Sequence, residues 1–265
     1  MGWEVFTQHK PPNSMIIMKE KDTIIETFTE MAPRYEATVD AELKRFWGWS
    51  YKGFVNKLID MTPIGEGDKV LDIATGTGVI PHKLMKERLI TERVNGLDIT
   101  MPMLIRAKRR FEESGIQGNV DLVCASAMDM PYANETFSLV ICGLATHHMV
   151  VKKLLAETNR ILMEEGILSI ADVGGSKFWK FPGVKLFLRF AGFIYFLAVE
   201  NVHRAWAESN AVSNVRSKED WTAILIDNGF GDISITKLIS KYFWIPEPLV
   251  IRAKKTKEKN HDELV

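Results

Sequence analysis

Cysteine is nearly absent from this chain: Cys124 and Cys142 are the only two in 265 residues. Both sit in apolar runs, which excludes a disulfide framework and an all-cysteine zinc site and points to a reducing, cytoplasmic compartment. Net charge is missing as well. The 34 Lys and Arg balance 34 Asp and Glu, so no surplus of positive charge exists to hold a polyanion, and nucleic acid is not an expected partner. No leader is legible, because Gln8, Lys10, Pro11, Pro12 and Asn13 interrupt the start where a secretory core would be apolar. The near-terminal His261-Asp262-Glu263-Leu264 is followed by Val265, away from the extreme end where a retrieval signal is read. A long apolar run is lacking too. Phe178 to Val199 comes nearest, but Lys180, Lys185 and Arg189 interrupt it and Pro182-Gly183 break its start; its uncharged remainder falls short of the roughly 20 residues of a membrane span.

What is present is a globular composition, 46% hydrophobic with 18 Gly and 10 Pro, and a length that fits one large domain or one domain with an appendage. From Lys69 onward short apolar runs alternate with helical stretches, the pattern of βαβ units and a parallel sheet. The expected strands are Lys69 to Ile73, Val94 to Asp98, Val120 to Ala125, Phe137 to Cys142 and Ile167 to Asp172. Helices are expected at Val79 to Lys86, at Thr100 to Ser114 with Thr100 as cap, and at Lys152 to Leu162. A later helix, Ser217 to Asn228, opens on a capping box (Ser217, Asp220) and stops at Gly229. Asp232 to Leu238 and about Tyr242 to Lys254 then form an antiparallel edge hairpin. Residues 1–60 read as an N-terminal helical cap on a domain spanning 61–265. Residues 173–216 are an insertion far longer than an ordinary connection.

The first strand runs into Ala74-Thr75-Gly76-Thr77-Gly78, a glycine-rich turn where backbone can approach a ligand. A dinucleotide fingerprint needs a third glycine where Pro81 stands, so a nicotinamide site is disfavoured. Asp72 at the strand end suits a cationic ligand better than a pyrophosphate. Asp98 ends the second strand, where a carboxylate can accept both hydroxyls of a ribose. The third strand ends in Ala125-Ser126-Ala127-Met128 and the fourth in Gly143-Leu144-Ala145-Thr146-His147-His148. Four strand tips thus present ligand-type turns on one edge.

The order of these elements resembles the class I S-adenosylmethionine-dependent methyltransferases, in the branch of the ubiquinone/menaquinone C-methyltransferases. The phrases that carry the resemblance are Met31-Ala32-Pro33-Arg34-Tyr35, Val70-Leu71-Asp72-Ile73-Ala74-Thr75-Gly76-Thr77-Gly78, Gly96-Leu97-Asp98-Ile99-Thr100, Met130-Pro131-Tyr132 with Phe137, and Asn159-Arg160-Ile161-Leu162-Met163-Glu164-Glu165-Gly166. It implies an α/β, doubly wound Rossmann-like sheet of seven strands, five parallel plus the C-terminal hairpin, with N-terminal helices and a helical lid insertion. It implies S-adenosylmethionine as cofactor. Asp72 would meet its aminoacyl part, and Ala74, Thr75, Gly76 and Gly78 would line it. Asp98, with Ile99 and Met103 beyond it, would hold the ribose side. Ser126, Ala127 and Met128 would flank the adenine, Gly143 would face the methionine end, and Tyr35 would close the pocket over the sulfonium. Ser126 stands where the family commonly has an aspartate; its hydroxyl, the Ala127 N–H or Asp129 would take over that hydrogen bond.

His147 and His148 are the catalytic candidates beside Tyr35, since an imidazole at a strand tip can take a proton from a phenol or hydroquinone; holding the loop in place is the plainer role. No nearby Asp, Glu or Cys is expected to complete a ligand set with them, so no metal is expected. Phe178 to Val199 carries eight aromatic residues in 22. It reads as a lid over an apolar substrate, as a core helix, or as an interfacial helix making a peripheral membrane or oligomer contact. Phe187, Phe190, Ile194 and Leu197 share one helical face in each case. The acceptor implied is an apolar small molecule, quinone-like or aromatic first, a lipid, sterol or polyketide second.

Overall fold

Parallel strands covered on both faces must be apolar throughout, and Val70–Ile73 (β1) is buried at all four positions. The structure, a computed structural model, describes residues 12–87, 89–176, 179, 181–243 and 245–257, with side chains from residue 22 onward. Phe178, Lys180 and the His261 to Val265 end lie outside the described residues. Around β1 the chain supplies Val94–Asp98 (β2), Val120–Cys124 (β3), Phe137–Gly143 (β4), Leu162–Asp172 (β5), Phe230–Lys237 (β6) and Leu249–Lys255 (β7). They form one sheet in the order β3-β2-β1-β4-β5-β7-β6. The first five run parallel, and β7 pairs antiparallel with both β5 and β6.

The helices are Pro12–Met31 (α1), Tyr35–Phe46 (α2), Tyr51–Asp60 (α3), Val79–Lys86 (α4), Met101–Ser114 (α5), Val151–Ile161 (α6), Pro182–Val199 (α7), Val202–Ala211 (α8) and Lys218–Asp227 (α9). Successive strand residues send side chains to opposite faces: Val70 joins a core with Phe54, Leu58, Ile80 and Phe111, whereas Leu71 joins one with Leu155, Trp221 and Ile251. The doubly wound architecture is as expected.

Several boundaries differ from the sequence reading. β5 starts at Leu162 rather than Ile167, because Glu165 turns into the left-handed region (φ 63°) ahead of Gly166 and the ladder to β4 shifts register there. β7 starts at Leu249, not near Tyr242: Pro246 and Pro248 have no N–H to give a ladder, and Pro248 serves only as acceptor for Leu238 N. β6 begins two residues early and carries a bulge between Gly231 and Ser234. The Ser217–Asp220 capping box is present as expected. Thr100 has cap conformation but its hydroxyl makes no cap bond; instead Thr100 N donates to Asp98 Oδ1 at 2.8 Å.

The insertion departs most from expectation. No residue of α7 is buried. Phe187 and Phe190 are 67% and 65% exposed, and Ile194 and Leu197 stand out beside them, so the shared face is real but is neither core nor roof. The charges and the Pro-Gly start exclude a membrane span too strictly as well: the 18 residues of α7, mean hydropathy 1.5, are long and apolar enough by length and composition to cross one. The opposite side packs on α8, where the Phe193 and Trp206 rings meet at 5.3 Å, and on α2, where Arg45 donates to Tyr195.

Candidate active site

All four strand tips open into one cleft at the carboxyl edge of the sheet. A cavity of about 170 Å³ is lined by Gly76, Asp98, Ile99, Met103, Ser126, Ala127, Met128 and His148, among others, and is roofed from α1 by Ile24 and Phe28. A second, of about 20 Å³ and enough for one water, lies behind it against Asp72, Thr75, Gly143, Tyr51 and Phe54. Tyr35, Ala74, Gly76 and Leu144 line both and form the partition. Ala74 and Leu144 each hold φ at 54°, a left-handed backbone that costs a residue with Cβ about 1 kcal/mol or more and recurs at functional sites.

Asp72 stands out electrostatically. Among the described residues neither carboxylate oxygen has a donor in hydrogen-bond geometry, and burial pushes its pKa up to about 8, opposed by the neighbouring Thr75 side chain. A buried carboxylate without a partner is ready for a cation. Asp98 is placed differently: Oδ2 accepts from Gly76 N at 2.9 Å and Oδ1 from Thr100 N. Each oxygen keeps a second lone pair for a ligand hydroxyl. Burial raises the Asp98 pKa, and these two N–H groups oppose it.

Gly78 does not line the cleft. Its φ is 76°, and a Cβ there would lie 2.5 Å from Phe111 Cζ and 2.9 Å from Ala107 Cβ. It is the glycine that lets α4 approach α5, a packing duty that a ligand-centred reading of the turn misassigns. Asp129 is not among the cavity-lining residues either; it closes the loop by a backbone bond to Ser126. Of the residues expected beside an adenine, Ser126, Ala127 and Met128 do line the cavity.

His148 lines the larger cavity, and Phe28 meets its ring edge-on at 5.2 Å. His147 lies behind it, ring centroids 4.2 Å apart, with Nδ1 2.6 Å from Asp172 Oδ1. Burial alone would lower the His147 pKa, but Asp172 reverses this and raises it. For His148 burial prevails, reinforced by the neighbouring His147, and its pKa falls below the ordinary value. His148 is thus the imidazole kept neutral and able to take a proton, and His147 the one held by a carboxylate.

The expectation that nothing acidic adjoins the pair fails. Glu208, brought in by α8, groups with both histidines, their ligand-type atoms within 4.8 Å of one another, and Asp172 reaches them from the tip of β5. Asp172 has a sequence signal, since it ends a strand as Asp98 does and as Asp72 nearly does. Glu208, Arg204, Phe28 and Tyr51 carry none.

The comparisons agree with this geometry. Residues 70–166 match a family model described as a methyltransferase domain. The demethylmenaquinone methyltransferase of Lactobacillus johnsonii is 28% identical over 83% of this chain and 88% of its own length. The ubiquinone/menaquinone biosynthesis C-methyltransferase of Klebsiella pneumoniae is 29% identical over 58% of this chain and 60% of its own. Among solved structures, the geranyl diphosphate C-methyltransferase of Streptomyces coelicolor superposes with a TM-score of 0.61, covering 84% of each chain at 17% identity. A SAM-dependent methyltransferase from Aquifex aeolicus gives 0.57 over 85% of this chain and 97% of its own at 17% identity. With its seven-stranded sheet and its strand-tip cleft, the chain is a class I methyltransferase that uses S-adenosylmethionine. Its relatives in sequence include demethylmenaquinone and ubiquinone/menaquinone methyltransferases.

The residues fit that cofactor. The unpartnered Asp72 can receive its ammonium, Asp98 can accept two ribose hydroxyls, and the apolar slot at Met103, Ala127 and Met128 can take the adenine. When bound, it supplies a methyl group already activated on a sulfonium.

Proposed function

We propose that the protein methylates a quinone-like acceptor in its reduced, hydroxyl-bearing form. The observation that carries this reading is His148: a buried imidazole, its pKa lowered by burial and by His147, in the wall of the mostly apolar cavity that Asp98 also lines. A hydroquinone becomes a stronger carbon nucleophile when it loses its hydroxyl proton, and His148 is placed to receive it. Apolar walls hold the ring and exclude water, and alignment supplies much of the remaining acceleration. Tyr35, on the partition between the two cavities, closes the cleft around the transferring group. The relatives named as quinone methyltransferases support the same acceptor class. Residues 1–60 act as the cap, since Ile24, Phe28 and Tyr35 come from them. The direct test is transfer of labelled methyl to a demethylated menaquinol; a folded, cofactor-binding protein that transfers none to any hydroquinone overturns the reading.

Cofactor binding has its own check. Asp98→Asn keeps one acceptor oxygen and should lower S-adenosylmethionine affinity by about 10-fold. Asp98 also ties Gly76 and Thr100, so the variant is compared with wild type by melting temperature and by calorimetry together. Unchanged affinity removes Asp98 from the ribose.

Such an acceptor dissolves in membranes, and α7 supplies a route to it. A helix apolar on most sides yet unburied is suited to a bilayer boundary. It carries Lys185 and Arg189 with no acidic residue between Pro182 and Val199, which matches an anionic surface. In this reading α7 lies in the interface and not over the acceptor. Phe187→Ser with Phe190→Ser should abolish co-sedimentation with vesicles containing anionic lipid while the melting temperature and turnover of a soluble hydroquinone stay at wild-type values. Retained vesicle binding, or a change of oligomeric state instead, overturns the membrane contact.

A further inference from the structure

The insertion lines the active-site cavity with Asn214 and brings a carboxylate, Glu208, up to the histidine pair. Glu208 Oε1 lies 3.5 Å from His148 Nε2, long for a hydrogen bond in a ligand-free site but within ion-pair reach. The same oxygen is 3.1 Å from Arg204 Nη1, and Arg204 Nη2 holds Glu42 of α2 at 2.9 Å. Arg204 is buried, and its Nη1 also points at Met31 Sδ, 2.7 Å away. Glu208 is therefore held from behind by Arg204, which is itself tied to Glu42.

Four groups face His148: Phe28 edge-on from α1, His147 from its own turn, and Glu208 and Arg204 from α8. Only Glu208 brings negative charge. Burial would raise its pKa, but Arg204 and the histidines outweigh that and hold it well below the ordinary carboxylate range. An ionised carboxylate can only accept, so the His148 nitrogen that faces it must be the one carrying hydrogen.

We infer that Glu208 is the positioning residue of the His148 base: lying against Nε2–H, it fixes the tautomer, leaves the lone pair on Nδ1, and offsets the charge that His148 gains when it takes the acceptor's hydroxyl proton. The inference rests on the reading of His148 as the base. The step balances: the acceptor O–H bond breaks with its electron pair left on oxygen, the proton goes to Nδ1, and the imidazolium later returns it to solvent. The logic is that of a carboxylate orienting a histidine in a catalytic triad, here with a carboxylate drawn from an insertion 60 residues along the chain.

The test reads the imidazole itself, by nitrogen NMR of protein labelled in its histidines, and so needs no acceptor. Wild-type His148 should show the Nε2–H tautomer. In Glu208→Gln its pKa should fall by about one pH unit. The acid limb of kcat with a demethylated menaquinol should move down with it, and kcat should drop about 10-fold while acceptor KM holds. Glu208→Asp, which withdraws the carboxylate by one methylene, should shift the same signals in the same direction and serves if the glutamine variant does not fold. An unmoved tautomer and pKa in a folded Glu208 variant overturn the inference. Failure of the underlying reading looks different: there His148→Ala turns over normally, whatever the spectra show.

Discussion

Asp72→Asn should raise the melting temperature of the cofactor-free protein at pH 8 and, at the same time, weaken S-adenosylmethionine binding by about 100-fold. Both effects come from one buried carboxylate that no donor among the described residues meets in hydrogen-bond geometry. Its folded pKa is raised to about 8, whereas the unfolded chain has it near the ordinary aspartate value. Between those two values the folded state holds a proton that the unfolded state has released, so stability falls as pH rises across that window. Below the unfolded value both states are protonated and the penalty vanishes. Asparagine cannot ionise, so the variant should show no such decline between pH 5 and 8. The same neutrality removes the attraction for an ammonium, a charge-assisted contact whose loss in a dry site amounts to about 3 kcal/mol. Melting curves against pH and calorimetry at pH 8 check the two halves. A variant that binds the cofactor as wild type does would dissociate Asp72 from the aminoacyl group.

His148→Ala should lower kcat by about 100-fold or more at neutral pH and leave cofactor affinity within error of wild type. The sign of the pH dependence follows from its environment. Burial and the adjacent His147 depress the His148 pKa, so the imidazole stays neutral, and competent as a base, to a lower pH than a free histidine. Wild-type kcat should accordingly hold up below pH 6.5 before falling, and the variant should lose that acid limb altogether. His147→Ala acts otherwise. It strips Asp172 of its partner at 2.6 Å and should register first as lost stability. Full turnover by folded His148→Ala would return the pair to a structural role.

Short-range chemistry is legible in the order of the residues alone. The βαβ rhythm marks the strands because each is an apolar run bounded by turn residues, and the cofactor edge follows because Asp72, Gly76, Asp98 and Ser126 all fall at strand ends. Long-range geometry is not legible in this way. Glu208 is an ordinary acid in Ala207-Glu208-Ser209, 60 residues from the histidine it faces, and only the packing of α8 against the His147–His148 turn brings it there. Gly78 misleads for a related reason: a glycine-rich turn reports that Cβ atoms are unwelcome, not whether a ligand or Phe111 claims the space. The face of α7 shows a limit of periodicity. Spacing tells which side chains travel together around a helix, and the absence of a partner for that face is a property of everything else in the fold.

The strand order has a consequence for how the chain is made. β7 is the last of the described strands in sequence, yet it lies between β5 and β6. Until residues 249–255 leave the ribosome, β5 therefore offers an unsatisfied row of backbone donors and acceptors to any neighbouring strand. That edge ends at Asp172, which holds the histidine turn. Synthesis must outlast a nascent chain whose central sheet is formed but whose flank is open, the condition under which non-local strand pairing is slow and intermolecular pairing competes. A truncation before Leu249 should consequently aggregate during expression rather than accumulate as a soluble, inactive domain.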